Sequence, residues 1–329
     1  MRLQMLIPQW REPDEVLKPL LDSIGNQRGI NMDDIGVIIT NDGTDVFLSN
    51  ELLKSYPYEI QYFKEPHKGV SAARNHCLDK ATADYVMFCD DDDVFFNSLG
   101  IWMIFQEMDV GEFDTLNSTF VEEYYSERMD GLAYSIHEND TTFVHGKVHR
   151  RQYLIDKGIR WDEKLEYHQD SHFNIRCLSY TENKRYCKNP FYMWVCRKGS
   201  ECRKDPTYMQ RTYEEYINSS DSLVTELLNN GYVDLARSYM ASMMFTVYYD
   251  LNSPEWFDDS NKGFREGTEK RYAQYYIKYK TYWDSVSNED RAIISQKVRE
   301  DSMKNEGMLL EHYTFDNWIQ HIEEIAKTL

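Results

Sequence analysis

Tyr85-Val86-Met87-Phe88-Cys89-Asp90-Asp91-Asp92-Asp93-Val94-Phe95-Phe96 sets an apolar run directly against four consecutive aspartates, and apolar residues resume at once. Residues 85–89 read as a core strand. Four adjacent carboxylates repel one another unless something cationic joins them. In an open α/β sheet, ligands bind beyond the carboxyl ends of the strands, and these acids sit at such an end. A divalent cation held by one or two carboxylates plus substrate phosphates relieves the repulsion. Magnesium and manganese both favour oxygen ligands and keep positions open. Alternation along an extended chain sends neighbouring side chains to opposite sides. Asp92 is therefore expected to ligate the metal, with Asp90 or Asp91 contacting it or a ribose. Taken alone, the cluster reads equally well as a solvated acidic turn.

The residues before it alternate apolar strands with amphipathic helices. Leu3 to Ile7 is a strand closed by Pro8. Val16, Leu17, Leu20, Leu21 and Ile24 recur at helical spacing, with Pro13 near the start and Pro19 inside the pattern. Ile35 to Thr40 is the next strand, followed by the turn signal "NDGTD". Val46 to Ser55 reads as a helix and Tyr58 to Lys64 as a strand. "KGVSAARNHCLDKAT" reads as a helix with Gly69 at its mouth and Val70, Ala73, Cys77 and Ala81 on one face. This alternation predicts a parallel sheet with helices on both faces.

Beyond residue 112 the pattern lengthens. "FDTLNSTFVEEYY" and "LAYSIHE" read as antiparallel strands, "HRRQYLIDKG" and "DSHFNIRCLSY" as helices, and "RYCKNPFYMWVCRKG" as a strand or hairpin. After Pro206 the periodicity is helical throughout. The expected division is a sheet-bearing domain over 1–205 and a helical C-terminal region over 206–329, in which "SYMASMMFTVYYDL" is by default a core helix.

The 329 residues are 41% hydrophobic, enough to fill a sizeable core. A net charge of −19 repels nucleic acid and anionic lipid, and no basic run exceeds His149-Arg150-Arg151. The N-terminal apolar stretch, broken by Pro8, is too short for a signal peptide. No apolar run approaches the roughly 20 residues of a membrane span. The six cysteines form no CxxC pair, and Cys187, Cys196 and Cys202 are only loosely grouped. Free thiols in a reducing, cytoplasmic compartment are the expectation. The 25 tyrosines suit sugar- or partner-binding walls, although a buried ring with its hydroxyl in water is the commoner arrangement.

Four blocks stand in a telling order: "LIPQWREP", "TNDGTD", "KGVSAARN" and "MFCDDDD". Together they resemble family 2 glycosyltransferases of the GT-A fold, in which an opening strand precedes an acid-Asp-Gly turn, a G-x-x-x-A-R-N helix and a strand ending in a D-x-D motif. "HGKVHRRQYLIDKGIRWDEKLEYHQDSHFN" resembles the acceptor-side segment of that family, and "FYMWVCRKGSECR" the strand and loop behind it. The likeness covers roughly the first 205 residues. It implies a Rossmann-like mixed sheet flanked by helices.

The same likeness implies roles. Asp42 corresponds to the aspartate that recognises the uracil ring, with Pro8 and Gln9 lining that pocket. Arg74 would reach the base or the diphosphate, whose geometry suits a guanidinium. Asp90 and Asp92 match the ends of the D-x-D motif, with Asp92 the metal ligand and Asp91 between them. Arg197 and Ser200 would assist at the diphosphate from a loop. Asp170, the aspartate of the family's Glu-Asp pair, would be the general base that deprotonates the incoming hydroxyl. Here Gln169 stands where the family has glutamate. Ordinary alternatives exist for each: a turn-forming Asp42 beside Gly43, a surface Arg74, an Asp170 that caps or opens a helix.

The implied activity is an inverting, metal-dependent transfer of a sugar from a nucleotide-sugar, UDP-linked, to a hydroxyl of a glycan, lipid-linked sugar or protein. The implied cofactor is Mn2+ or Mg2+. Two other readings stand beside it. One is a non-catalytic nucleotide- or glycan-binding relative, against which the joint presence of Asp42, Asp92 and Asp170 argues. The other is a glycosyltransferase acting on a modified nucleic-acid base, disfavoured by the acidic balance. The helical region is left to an acceptor, partner, oligomer or membrane-surface role.

Overall fold

The computed structural model describes residues 1–197, 208–253, 256, 261–306 and 313–329, and the chain divides into two compact units, Met1–Ser200 and Glu201–Leu329. Ser200 and the boundary expected near residue 205 lie outside the described residues.

The first unit runs β1 (Leu3–Gln9), α1 (Asp14–Gly25), β2 (Ile35–Asp42), α2 (Asn50–Leu53), β3 (Glu59–Glu65), α3 (Val70–Lys80), β4 (Tyr85–Phe88), β5 (Val94–Phe95), α4 (Gly100–Val110), β6 (Thr115–Ser126), β7 (Gly131–His137), β8 (Val148–Arg150), α5 (Arg151–Asp156), α6 (Gln169–Ser179) and β9 (Lys184–Trp194). One sheet holds them in the order β3-β2-β1-β4-β8-β6-β9-β5, with β7 paired to β6. The four leading strands are parallel: Met5 lies opposite Val37 on one side and Met87 on the other. β8 runs antiparallel to both β4 and β6, so the sheet is mixed. The strand order turns back between β1 and β4. Their carboxyl ends therefore flank a crevice.

Both faces of the sheet are covered because these strands are apolar on both sides. Leu3, Met5, Ile7, Val37, Ile39 and Met87 pack with Leu17, Leu20, Leu21 and Ile24 of α1 and Ile101, Ile104 and Phe105 of α4. On the opposite face, Cys77 of α3 sits with its thiol against the Ile7 and Ile38 carbonyls. Phe88 meets Trp161 and Phe173 edge-on, with ring centroids 5.1 and 5.4 Å apart. Each fully buried aliphatic side chain contributes about 1.5–3 kcal/mol.

Three local readings change. The helix expected over Val46 to Ser55 is one turn, Asn50–Leu53, capped by Ser49. The residues before it are held away from helical pairing, since the Val46 carbonyl accepts from the Asn41 and Gln9 side-chain amides. The chain at 90–93 is a turn closed by the Asp93 N–H on the Asp90 carbonyl, so strand alternation does not apply there. The "strand or hairpin" after residue 184 is one long strand, β9.

The second unit is helical, with α7 (Tyr208–Asn229), α8 (Val233–Leu251), α9 (Lys262–Asp284), α10 (Asn288–Glu306) and α11 (Phe315–Ala326) among the described residues. The expected core helix is α8, whose Met240, Met244, Val247 and Leu251 are buried. Three tyrosines of α9 are buried, with their hydroxyls bonded to neighbouring protein groups. Tyr272 donates to the Met244 carbonyl, Tyr275 shares a hydrogen bond with Ser220, and Tyr279 donates to Asp221. Among the described residues no helix is long and apolar enough to cross a membrane.

Candidate active site

The crevice is built from four chain segments: the exit of β1, the exit of β2 with the mouth of α3, the 90–93 turn, and the start of α6. Arg74 lies at its centre. It is 3% exposed and donates from Nη1 to Asp170 Oδ1 and from Nη2 to Asp90 Oδ1, both at 2.7 Å. Its guanidinium lies over the Trp161 ring, 4.3 Å from the centroid. Trp161 in turn stacks on Phe173 at 4.2 Å. Burial alone would lower the Arg74 pKa, but Asp170 and Asp90 outweigh it and raise it. The surface-arginine alternative is thereby removed. Asn75 completes the bracket, donating to the Trp161 carbonyl and Glu163 and accepting the Trp161 N–H.

Asp170 occupies the first turn of α6, after His168 in the left-handed region (φ 57°). Its Oδ2 accepts the Val144 N–H at 3.3 Å. The 140–146 loop that delivers this N–H is tied down by residues the sequence did not single out. Asp140 Oδ1 accepts the Thr142 and Phe143 N–H groups, and Asn174 donates to both of those residues' carbonyls. The Lys147 ammonium, fully buried, donates to the Phe143 carbonyl. Burial lowers the Lys147 pKa.

The four aspartates divide their work. Asp93 is fully buried, accepts the Val195 N–H with Oδ1, and faces His145 Nδ1 with Oδ2 at 3.2 Å, an ion pair without hydrogen-bond alignment. Burial, against the pull of His145, pushes the Asp93 pKa up to about 6. Burial would lower His145, but Asp93, then Asp90 and Asp170, raise it. Burial raises Asp90 too, yet Arg74 and His145 bring it below the usual range. Asp91 is held well above its ordinary value by burial and by repulsion from Glu12, Asp92 and Asp90, only partly offset by Arg197. Asp92 pairs with Arg197 Nε at 2.7 Å, and Arg197 Nη2 also reaches Glu12 at 3.2 Å. Glu12, on the β1 exit loop, was not anticipated.

The acids here exceed the bases. Glu12, Asp90, Asp91 and Asp92 face Arg74 and Arg197, and Arg74 is shared with Asp170. These side chains therefore fit a divalent cation. Among the described residues, Asp90, Asp93 and His145 also place one ligand-type atom each within 4.8 Å of one another. Asp93 and His145 are at most 3% exposed, whereas the Asp90 and Asp92 side chains are 31% and 17% exposed. A cation that also touches a soluble ligand is reached more easily from the second pair.

Beside this cluster lies an open cleft of about 450 Å³ lined by Trp10, Arg11, Gly43, Thr44, Asp45, Val46 and His67. Trp10 and His67 stack at 5.4 Å, and the Arg11 guanidinium lies over the Trp10 ring, 4.1 Å from its centroid. Asp42 is buried and does not itself line the cleft; its carboxylate accepts the Lys68 and Gly69 N–H groups at 2.8 and 2.9 Å and contacts the lining residue His67 at Nδ1, 2.8 Å away. Gly43 is required, with φ 73° and a hypothetical Cβ only 2.1 Å from the His67 nitrogen. Pro8 is half-buried; Gln9 is fully buried and donates to the Glu12 and Val46 carbonyls. The wall of the cleft is instead Trp10 and Arg11. Cys77, Cys89, Cys177, Cys187 and Cys196 are free thiols, and Cys202 lies outside the described residues.

Residues 5–155 match the family model described as glycosyl transferase family 2. The chain is 24% identical over 258 residues to the glycosyltransferase GlyA of Streptococcus pneumoniae, covering 70% of this chain and 35% of that protein. It is 24% identical over 217 residues to the putative glycosyltransferase EpsH of Bacillus subtilis, covering 60% and 61%. It thus spans about a third of the first relative and under two thirds of the second. Among solved structures, S. aureus TarS 1-349 in complex with UDP-GlcNAc aligns with a TM-score of 0.65 at 13% identity, over 92% of both chains. A likeness at that identity is one of fold, and the fold is GT-A.

Proposed function

We infer that this chain, whose residues 5–155 match the glycosyl transferase family 2 model, is an inverting glycosyltransferase that moves a sugar from a nucleotide-sugar to an acceptor hydroxyl. The observation that carries the reading is the Arg74 bridge. It joins the carboxylate best placed to act as base, Asp170, to the acidic turn best placed to hold a cation and diphosphate. The N-terminal unit would be the catalytic domain. The helical unit would serve an acceptor, a partner or an oligomer. The free, mostly buried thiols suit a cytoplasmic location.

The base of the nucleotide would enter the Trp10–His67 cleft, with uracil favoured because the GT-A neighbour TarS is solved with UDP-GlcNAc. Asp42 would act either on the base or by holding the 67–69 backbone. Asp92, with Asp90, would hold Mn2+ or Mg2+ together with the diphosphate. When bound, such an ion neutralises charge growing on the leaving group. Arg197, now paired to Asp92 and Glu12, is placed to turn onto a diphosphate oxygen. Its guanidinium suits that geometry. Asp170 would take the acceptor proton as the hydroxyl attacks the face of the anomeric carbon opposite the leaving group. Each Asp170 oxygen has one protein donor and keeps a lone pair for that proton. Arg74 and the Val144 N–H fix its orientation.

A thermal-shift panel of nucleotide-sugars with and without Mn2+ tests this. A ligand that binds only the folded state at 100 times its Kd stabilises it by about 2.7 kcal/mol. A UDP-sugar with Mn2+ should raise Tm more than either alone. A panel without any nucleotide-sugar response would end the reading.

A further inference from the structure

The β6–β7 hairpin carries a surface that the nucleotide-sugar reading leaves without a task. β7 pairs only with β6 among the described residues, so it is an edge strand. Glu123 lies opposite Tyr134, Tyr125 opposite Leu132, and Val121 opposite Ile136. Pairs directly opposite share a face, so Tyr125, Leu132, Tyr134 and Ile136 lie together. They are 53%, 51%, 59% and 64% exposed. An outward row of this kind on an edge strand is unusual without something to cover it.

Three features specify the occupant. First, both tyrosines are anchored by carboxylates. Tyr134 donates to Glu123 at 3.0 Å, and Tyr125 donates to Asp130. Two exposed rings are thus pre-oriented on diagonal positions, about 7–8 Å apart by strand geometry. Amphipathic rings beside carboxylate acceptors match a ligand with C–H faces and hydroxyl donors. Second, this face and its turn carry Glu123, Glu127 and Asp130 against Arg128, three acids and one base, while Glu122 lies on the opposite face paired with His137. A second copy docked on this face would meet its own negative charges, and an anionic polymer would be repelled. Third, the face is continuous with the crevice. Glu123 Oε1 accepts the Cys196 N–H at 3.2 Å, and the next residue, Arg197, holds Asp92.

We propose that the Tyr125–Tyr134 face binds an uncharged glycan chain, so that the acceptor is held by sugar units beyond the one that reacts. The proposal rests on the glycosyl-transfer reading and names its acceptor class. On a printed array of neutral and uronate-bearing oligosaccharides, the full chain should favour the neutral ones by at least tenfold. Calorimetric titration of the best neutral binder should show a tenfold or greater loss in the double variant Tyr125→Ala/Tyr134→Ala. UDP-GlcNAc binding with Mn2+, measured on the same variant, should stay within about twofold. Equal glycan binding by the double variant, preference for uronate-bearing chains, or no glycan binding beside intact donor binding would overturn the platform alone. Sedimentation giving a dimer that Ile136→Asp dissociates would assign the face to a second copy and also overturn it. Absent donor binding with glycan binding retained would leave the platform and remove the transfer reading.

Discussion

Arg74 Nη1 and Asp170 Oδ1 stand 2.7 Å apart, and the other arm of the same guanidinium holds Asp90 Oδ1 at an equal distance. One buried cation therefore connects α3, the β4 exit and the start of α6. Removing one partner of a buried pair costs about 3–5 kcal/mol, because the remaining charge is left uncompensated. Arg74→Gln should lower Tm by roughly 10 °C, at about 2–4 °C per kcal/mol for a unit of this size. Transfer should fall by more than the stability loss accounts for. Arg74→Lys should restore much of the Tm but little of the rate, since an ammonium lacks the planar fork that spans both carboxylates. Assay by scanning calorimetry and initial rates; equal recovery of both would assign Arg74 a purely structural role.

The Trp10 ring supplies the wall of the nucleotide cleft. Stacking of a base on an aromatic side chain contributes about 1–3 kcal/mol. Trp10→Ala should weaken UDP binding by roughly 5- to 150-fold, with Tm little changed because the ring is 42% exposed. Titration by calorimetry reads this directly. Unchanged affinity would move the base elsewhere.

The cation has two candidate seats. If it lies at Asp92 and Asp90, EDTA should lower nucleotide-sugar affinity tenfold or more, and Asp92→Asn should do the same with Mn2+ present. His145→Gln should then lower Tm while leaving the Mn2+ response intact. The reverse pattern would place the ion on the buried Asp90–Asp93–His145 set.

His149 gives a stability signature in acid. It is fully buried between Thr115 and Phe173, and burial, with the nearby Lys147 charge, lowers its pKa to about 3. The unfolded chain binds this proton near pH 6.5, the folded chain only near 3. The neutral imidazole's contribution is thus complete above pH 6.5 and is lost as pH falls toward 3, at no more than about 1.4 kcal/mol per pH unit. Urea midpoints of the parent should decline across that window. His149→Phe, which keeps the packing, should decline less steeply; parallel curves would remove His149 from the acid response.

The strands of the first unit were legible because runs such as Leu3 to Ile7 and Tyr85 to Cys89 are apolar on both faces and closed by turn residues. Asp42, Arg74, Asp90, Asp92 and Asp170 were named through the family resemblance, and of these the fold brings Arg74, Asp90 and Asp170 into direct contact. Their pairings were not. Glu12 and Arg197 lie 185 positions apart in the chain yet share an ion pair, and no periodicity encodes such a meeting. Lys147 and Asn174 belong to no motif that marks them out; only the fold brings them against the loop that touches Asp170. The Asp90–Asp93 turn was misread because four like residues carry no directional signal, and burial splits their environments. α4 went unnoticed because "GIWMIFQEMDV" starts on a glycine and is apolar around much of its circumference.

The base assignment is the claim on which the mechanism depends, and Asp170→Asn examines it with little change in shape. Measured side by side, UDP-sugar affinity with Mn2+ should match the parent within about threefold while transfer falls by roughly 10² or more. Transfer near the parent's rate, with donor binding intact, would contradict the account.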